Sequence, residues 1–383
     1  LAMAQVMGLN GRGWPWTPAI QDACGEAYDP QAPVVAKPAL NIWKYLPEWA
    51  EDAPPPPPAH QPVSAEESHE RLAQLLGPGA ESRPAQRDYA ALMSKAFAPP
   101  QEENVPQVVL AEAGTGTGKT LGYLAPASVW AEKNKGAVWI STYTKNLQRQ
   151  VDQELDRLYT DPDVKAARVA IRKGRENYLC LLNLEDVAAG AALAKNPDQV
   201  VAAGLMARWA ERTRDGDLSG GDFPGWLPGL RGARHTSALA DRRGECIYAA
   251  CDHYHRCFVE RAVRRARRAD LVIANHALVM TQTALAGPDD ALPGRYVFDE
   301  GHHLFDAADA AFSAHLSALE CADLRRWIRG AEGGQPGSRA RGLRRRVEDL
   351  VAGDDAALRD LETVLHEATH LAGPGWTRRL KDG

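Results

Sequence analysis

Between residues 83 and 150, and again from 270 to 300, short apolar runs alternate with stretches in which apolar residues recur at helical spacing. QVVLAEA (107–113), AVWIST (137–142), ARVAI (167–171), DLVIAN (270–275) and RYVFDE (295–300) each predict a strand. They are nearly continuous in small and branched apolar residues, the pattern of strands covered on both faces. Residues 119–132 and TKNLQRQVDQELDRL (144–158) predict the intervening helices. Strands separated by helices imply an α/β fold with a parallel, doubly wound sheet. Upstream, SAEESHERLAQLLG (64–77) predicts a helix with Ser64 as N-cap and a glutamate three residues on.

The block 175–265 breaks this rhythm with clustered cysteines and a Gly/Pro/Trp-rich stretch, FPGWLPGLRG (223–232). It reads as an insertion between the third strand and the strand at 270. EDAPPPPPAHQPV (51–63) predicts a stiff, extended linker separating the start from the rest, and Trp14-Pro15-Trp16 a packed turn. After about residue 306 the chain is rich in Ala, Leu and Arg and is expected to be helical, as in GLRRRVEDLVAG and AALRDLETVLHEATHLAG. The expected division is 1–63 as an N-terminal segment, 64–174 with 266–305 as the sheet domain, 175–265 as the insertion, and 306–383 as a helical segment.

With 44% hydrophobic and 25% charged residues, the composition is that of a globular protein with a large core. The absence of a long apolar run or a secretory leader makes a cytoplasmic protein without membrane contact the expectation. A net charge of −5 argues against general coating of polyanions, but residues 225–268 hold ten arginines (231, 234, 242, 243, 256, 261, 264, 265, 267, 268) against four acids (241, 245, 252, 260). That basic island suits a phosphate backbone, and equally a solvated arginine face.

AGTGTGKT (113–120) is a phosphate-binding loop with Ala113 where the first glycine usually stands. Gly114, Thr115, Gly116, Thr117 and Gly118 would wrap backbone N–H groups around phosphate oxygens at the start of a helix. Lys119 would reach the β- and γ-phosphates of ATP, and the Thr120 hydroxyl would bind Mg²⁺. The complementary acids stand at a strand end in Asp299-Glu300-Gly301-His302. Asp299 is expected to hold the Mg²⁺ shell, Glu300 to deprotonate the attacking water, and His302 to sense the γ-phosphate.

Of six cysteines, Cys180, Cys246, Cys251 and Cys257 form the constellation, the last three within twelve residues, and Cys24 and Cys321 stand apart. Four thiolates could hold a 4Fe–4S cluster or a zinc ion. The spacing departs from zinc ribbons, while His253 and His255 keep zinc open as an alternative.

Taken together, these motifs resemble the iron–sulfur superfamily 2 DNA helicases, the XPD-like group, and most closely their bacterial DinG branch. The resemblance runs over about residues 80–383. Arg83-Pro-Ala-Gln86-Arg87 resembles the adenine-reading glutamine motif, and STYTKNLQRQ (141–150) the motif that contacts the DNA backbone. KGRENYLC (173–180) and the Asn275-His276 strand end flank the cysteines as in that branch. The resemblance implies a RecA-like motor domain, an inserted cluster domain and the start of an arch domain. It also implies ATP, Mg²⁺ and a cluster held by the four cysteines as cofactors. Thr142, Thr144, Lys145, Arg175, Arg264 and Arg265 would be DNA contacts. The activity implied is ATP-driven 5′-to-3′ translocation on single-stranded DNA and unwinding of forked or R-loop-like duplexes, by a monomer. A second motor domain is expected to lie outside this sequence, so that the chain alone would bind nucleotide and DNA but hydrolyse ATP poorly. The rival reading is a P-loop ATPase whose zinc-bound insertion binds nucleic acid without unwinding.

Overall fold

The computed structural model describes residues 14–25, 40–51, 53–81, 83–100, 105–191, 196–231, 238–241, 246–287, 292–314, 316–330 and 342–373, with isolated positions elsewhere. Arg234, Arg242 and Arg243 of the basic island lie outside the described residues.

The chain divides into two compact units: residues 51–173 with 261–313, and residues 1–50 with 174–260 and 314–383. The first is a mixed α/β unit built on four parallel strands, β1 (Val138–Thr142), β2 (Val169–Ile171), β3 (Leu271–Asn275) and β4 (Tyr296–Phe298), in the order β2-β3-β1-β4. Side-chain alternation along the strands divides the core. Val138, Ile140, Val169, Leu271, Ile273 and Val297 face one way, onto helices Ala65–Leu76, Pro84–Ser94, Lys119–Asn134 and Lys145–Glu154. Trp139, Ala170, Val272 and Ala274 face the other way, with Ala266, Ala269 and Val279. Both faces are covered, which is why the strands read as unbroken apolar runs.

Local signals operate as expected in several places. The Ser64 hydroxyl accepts from the Glu67 N–H, and the Glu67 carboxylate accepts in return from the Ser64 N–H, closing a capping box. The third expected strand is shorter than its apolar run: Ala167 and Arg168 finish helix Pro162–Arg168, capped by Asp161, before β2 starts.

Three expectations are corrected. Residues 107–113 form no strand; Val108 is 72% and Leu110 91% exposed, and an apolar run becomes a buried strand only where a neighbour accepts its ladder. Residues 53–63 are no free linker. The Ala59 N–H donates to Asn134 O, Gln61 exchanges hydrogen bonds with the Asn134 side chain, and Lys133 Nζ donates to Pro62 O, so the proline-rich segment is tied to the end of helix Lys119–Asn134. Trp14-Pro15-Trp16 does turn, the Thr17 N–H donating to Trp14 O at the start of helix Thr17–Ala23, but Trp16 is 64% exposed, so the turn is not packed.

In the second unit, the expected helical tail comprises Ala318–Arg329, Gly342–Val347 and Asp355–Glu367. Helix Leu181–Ala191 borders the cysteine pocket through Leu181 and Leu182 and packs on helix Pro197–Ala210, and isolated bridges join Tyr178 to Asp217 and Leu179 to Ala240. Among the described residues, no helix is long and apolar enough to cross a membrane.

Candidate nucleotide site and four-cysteine pocket

The phosphate loop leads straight into helix Lys119–Asn134, with Gly118 as N-cap in a left-handed conformation (φ 78°) and Gly116 likewise (φ 80°). Glycine at 118 is required twice. An L residue is strained there, and a Cβ would stand 2.1 Å from Gln86 Nε2. Gln86 is buried and donates to Gly118 O at 3.0 Å, while Arg83 Nη1 donates to Gly116 O at 3.2 Å. The glutamine-motif residues therefore clasp the phosphate loop from behind. Thr117 Oγ1 closes it with a 2.7 Å bond to Gly114 O.

The acids arrive from the end of β4. The Asp299 N–H donates to Ser141 O, continuing the β1–β4 ladder one residue past the strand. Lys119 Nζ lies 3.4 Å from Glu300 Oε1, joining residues 181 positions apart. The buried Tyr123 hydroxyl donates to Asp299 Oδ2 at 3.3 Å and also meets Thr120, so it braces both oxygens assigned to Mg²⁺. Burial and the Asp299 charge push the Tyr123 phenol well above its ordinary range. Burial, and then the neighbouring Glu300 charge, raise the Asp299 pKa against the lowering effects of Tyr123 and Lys119. Glu300 itself is left-handed (φ 56°), a strained setting for a residue with a side chain, and such strain concentrates at working sites. His302 Nδ1 stands 3.6 Å from Glu300 Oε2; His302 tilts against His303, which stacks on Tyr143 at 3.7 Å between ring centroids. A line of contacts thus runs from the acids to the segment after β1.

In the other unit, Cys180, Cys246, Cys251 and Cys257 line one pocket with Arg175, Asp241, Tyr248, His253 and Glu260. Cys180 immediately precedes helix Leu181–Ala191 and Cys257 precedes helix Phe258–Arg268, so backbone N–H groups and the positive ends of both helices face sulfur. Cys251 and Cys257 follow successive 3₁₀ turns, Tyr248–Ala250 and Tyr254–Arg256. Burial raises the Cys180 thiol to about 12 and Cys257 to about 11, and burial followed by the Asp241 charge raises Cys246. Free thiols of this kind stay protonated at neutral pH, and a bound metal would supply the charge that removes their protons.

Comparison with known proteins adds ancestry to this geometry. No protein-family profile matches the chain. It is 36% identical over 265 residues to the ATP-dependent DNA helicase YoaA of Escherichia coli, covering 64% of this chain and 37% of that protein. It is 33% identical over 260 residues to the ATP-dependent helicase DinG of Mycobacterium tuberculosis (63% and 37%). It is 32% identical over 259 residues to a Bacillus subtilis protein named 3′-5′ exonuclease DinG (67% and 26%). Over about two thirds of its length the chain is similar in sequence to DinG- and YoaA-named helicases. It spans between 26% and 37% of the length of these curated relatives.

The residues expected at DNA divide by environment. Thr144 caps helix Lys145–Glu154 by accepting from the Leu147 N–H, and Lys145 is exposed at its start. Thr142 is fully buried, its hydroxyl donating to Thr144 O, so it shapes the turn rather than facing solvent. Arg175 binds Asp241 through Nε (3.2 Å) and Nη2 (3.0 Å), donates to Cys246 Sγ at 3.0 Å, and lies over the Tyr248 ring. It is committed to the cysteine pocket. Arg265 donates to Ala166 O and Val169 O, tying helix Phe258–Arg268 to the approach to β2. Arg264 is half-buried on the same helix.

Sequence reasoning missed the roles of Tyr123, His303 and Tyr143, and the whole of segment 40–50. Only its concentration of aromatic residues could have flagged that segment. His366, Glu367 and His370 bring ligand atoms within 4.8 Å of one another, but all three are exposed and Arg325 donates to the Ala368, Thr369 and Leu371 carbonyls beside them. That guanidinium opposes a cation.

Proposed function

We propose that this chain is the front part of an ATP-dependent DNA helicase: a RecA-like motor domain carrying an inserted iron–sulfur domain, followed by the start of an arch. The observation that carries the reading is the meeting of Lys119, on the phosphate loop, with Glu300, on the acid box, across 181 residues of sequence. Lys119 would take the β- and γ-phosphates of ATP. Thr120 and Asp299, both braced by Tyr123, would hold Mg²⁺, which screens phosphate charge. Glu300, released when phosphate draws Lys119 away, would accept a proton from the attacking water. The contacts from Glu300 through His302 and His303 to Tyr143 connect that event with the segment expected at the DNA backbone. Single-stranded DNA is the proposed track, with 5′-to-3′ movement and forked or R-loop-like duplexes as the proposed substrates.

The cysteine pocket fits a 4Fe–4S cluster better than zinc. Four cysteines line the one pocket, and four thiolates are the ligand set of a 4Fe–4S cluster. The alternative nitrogen ligands are engaged elsewhere: His253 pairs with Glu185, and His255 lies against Trp49.

Lys119→Ala tests the nucleotide site. Loss of a charge-assisted contact costs about 1.5–3 kcal/mol, so Mg²⁺-dependent binding of a fluorescent ATP analogue should weaken roughly 10- to 100-fold. Equal affinity in the wild type and the variant would refute the assignment.

A further inference from the structure

Residues 40–50 precede everything the motifs explain, yet in their unit they are built onto the cysteine loop. Leu40, Ile42, Leu46 and Trp49 are buried around the 3₁₀ turn Trp43–Tyr45. The Trp49 N–H donates to His255 O at 2.9 Å, and its indole Nε1 donates to Tyr254 O at 2.8 Å. The same indole stands edge-on to the Tyr254 ring at 5.0 Å and lies against His255 at 4.8 Å. Trp43 rests on His253 with ring centroids 4.2 Å apart, and Glu48 pairs with Arg256. These contacts fall on all four residues from His253 to Arg256, between Cys251 and Cys257.

That loop's internal hydrogen bonds are those of short turns alone: Cys251 N–H to Tyr248 O, Tyr254 N–H to Cys251 O, Arg256 N–H to His253 O and Cys257 N–H to Tyr254 O. Two consecutive 3₁₀ turns leave peptide carbonyls pointing outward, and short 3₁₀ segments have poor internal hydrogen-bond geometry. Trp49 supplies a donor to the His255 carbonyl and a second donor to Tyr254 O, which also accepts from the Cys257 N–H. Glu185, on the helix that follows Cys180, also holds the loop, its Oε2 lying 3.0 Å from His253 Nε2. The loop is thus held by both the N-terminal segment and the helix that follows Cys180.

We propose that residues 40–50 are a strap that fixes the loop between Cys251 and Cys257, and so the spacing of those two thiols in the metal pocket, with Trp49 as its principal positioning residue. The strap's service to a metal group rests on the reading that the four cysteines bind one; its hold on the loop does not.

The test compares the full chain with Trp49→Ala and Trp49→Phe, purified anaerobically. Iron and sulfide content, the decay of visible absorbance in air, and binding of a fluorescent ATP analogue are followed. Separately, the chelator-stripped chains are treated with iodoacetamide, and alkylation of each cysteine is timed by mass spectrometry. The strap predicts several-fold faster absorbance decay and faster alkylation of Cys251 and Cys257 in Trp49→Ala. It predicts an intermediate rate in Trp49→Phe, which keeps a ring and loses the indole donor, and no change in nucleotide binding. Decay and alkylation rates equal to wild type would overturn it. A wild-type chain lacking metal would remove the cluster reading, while faster alkylation in Trp49→Ala would still support the strap's hold on the loop.

Discussion

Asp299 is a carboxylate held where a carboxylate is unfavourable. Its pKa is raised above 3.8 first by burial and then by Glu300, so folding favours its protonated form. The stability this gives is present in acid and is lost as pH rises through the raised pKa, because the unfolded chain releases the proton first. Asp299→Asn should therefore melt higher than wild type near pH 7.5 without Mg²⁺, the gap closing towards pH 4, while losing Mg²⁺-dependent nucleotide binding. A lower melting temperature for the variant near neutrality would contradict this. Arg175 has the opposite character. It neutralises Asp241, whose side chain is 5% exposed, while itself 23% exposed. Removing one partner of a buried pair costs about 3–5 kcal/mol, and the partial exposure of Arg175 places Arg175→Ala near the lower end in urea unfolding. Lysine should restore little, since one ammonium cannot reproduce the guanidinium fork on Asp241 and the bond to Cys246 together. A lysine variant of wild-type stability would show that charge alone suffices. The sequence could place Arg175 near the cysteines through its motif, but not say that its donors were already spent.

The elements most legible in the sequence were those whose signals are local. Ser64 with Glu67 announces a helix start, and the runs at 138–142 and 271–275 fall within a residue of where they were expected. What failed was the assumption that an apolar run supplies its own neighbour. Residues 107–113 have the composition of β3 and none of its ladder, because pairing is a property of the partner strand. The consequence is measurable. Leu110→Ser, at a site 91% exposed, should change unfolding free energy by no more than about 0.5 kcal/mol, whereas Ile140→Ala, fully buried in β1, should cost about 2–5 kcal/mol. A large loss from Leu110→Ser would show that the segment is packed. The P-loop's clasp by Gln86 was missed for a related reason: a motif fixes which residues converge on a ligand, but not which of them first converge on each other.

At the scale of the molecule, the chain leaves its sheet unit at residue 173 and re-enters it at 261, and the stretch between carries all four pocket cysteines. The interruption is read from composition at 175–265 because Cys, Gly, Pro and Trp cluster there and break the strand–helix alternation of the flanking sequence. The strap was illegible, since nothing in a Trp-containing segment names a partner some two hundred residues away. A phosphate loop and an acid pair are shared by many ATPases; the proposed helicase reading turns on what the four-cysteine pocket would hold. The decisive measurement is therefore iron, sulfide and zinc per chain after anaerobic purification, read beside the absorption spectrum. The account predicts a brown protein with about four irons and matching sulfide, lost when Cys180, Cys246, Cys251 or Cys257 is replaced by serine. A colourless chain carrying one zinc, or iron that survives those replacements, would contradict it.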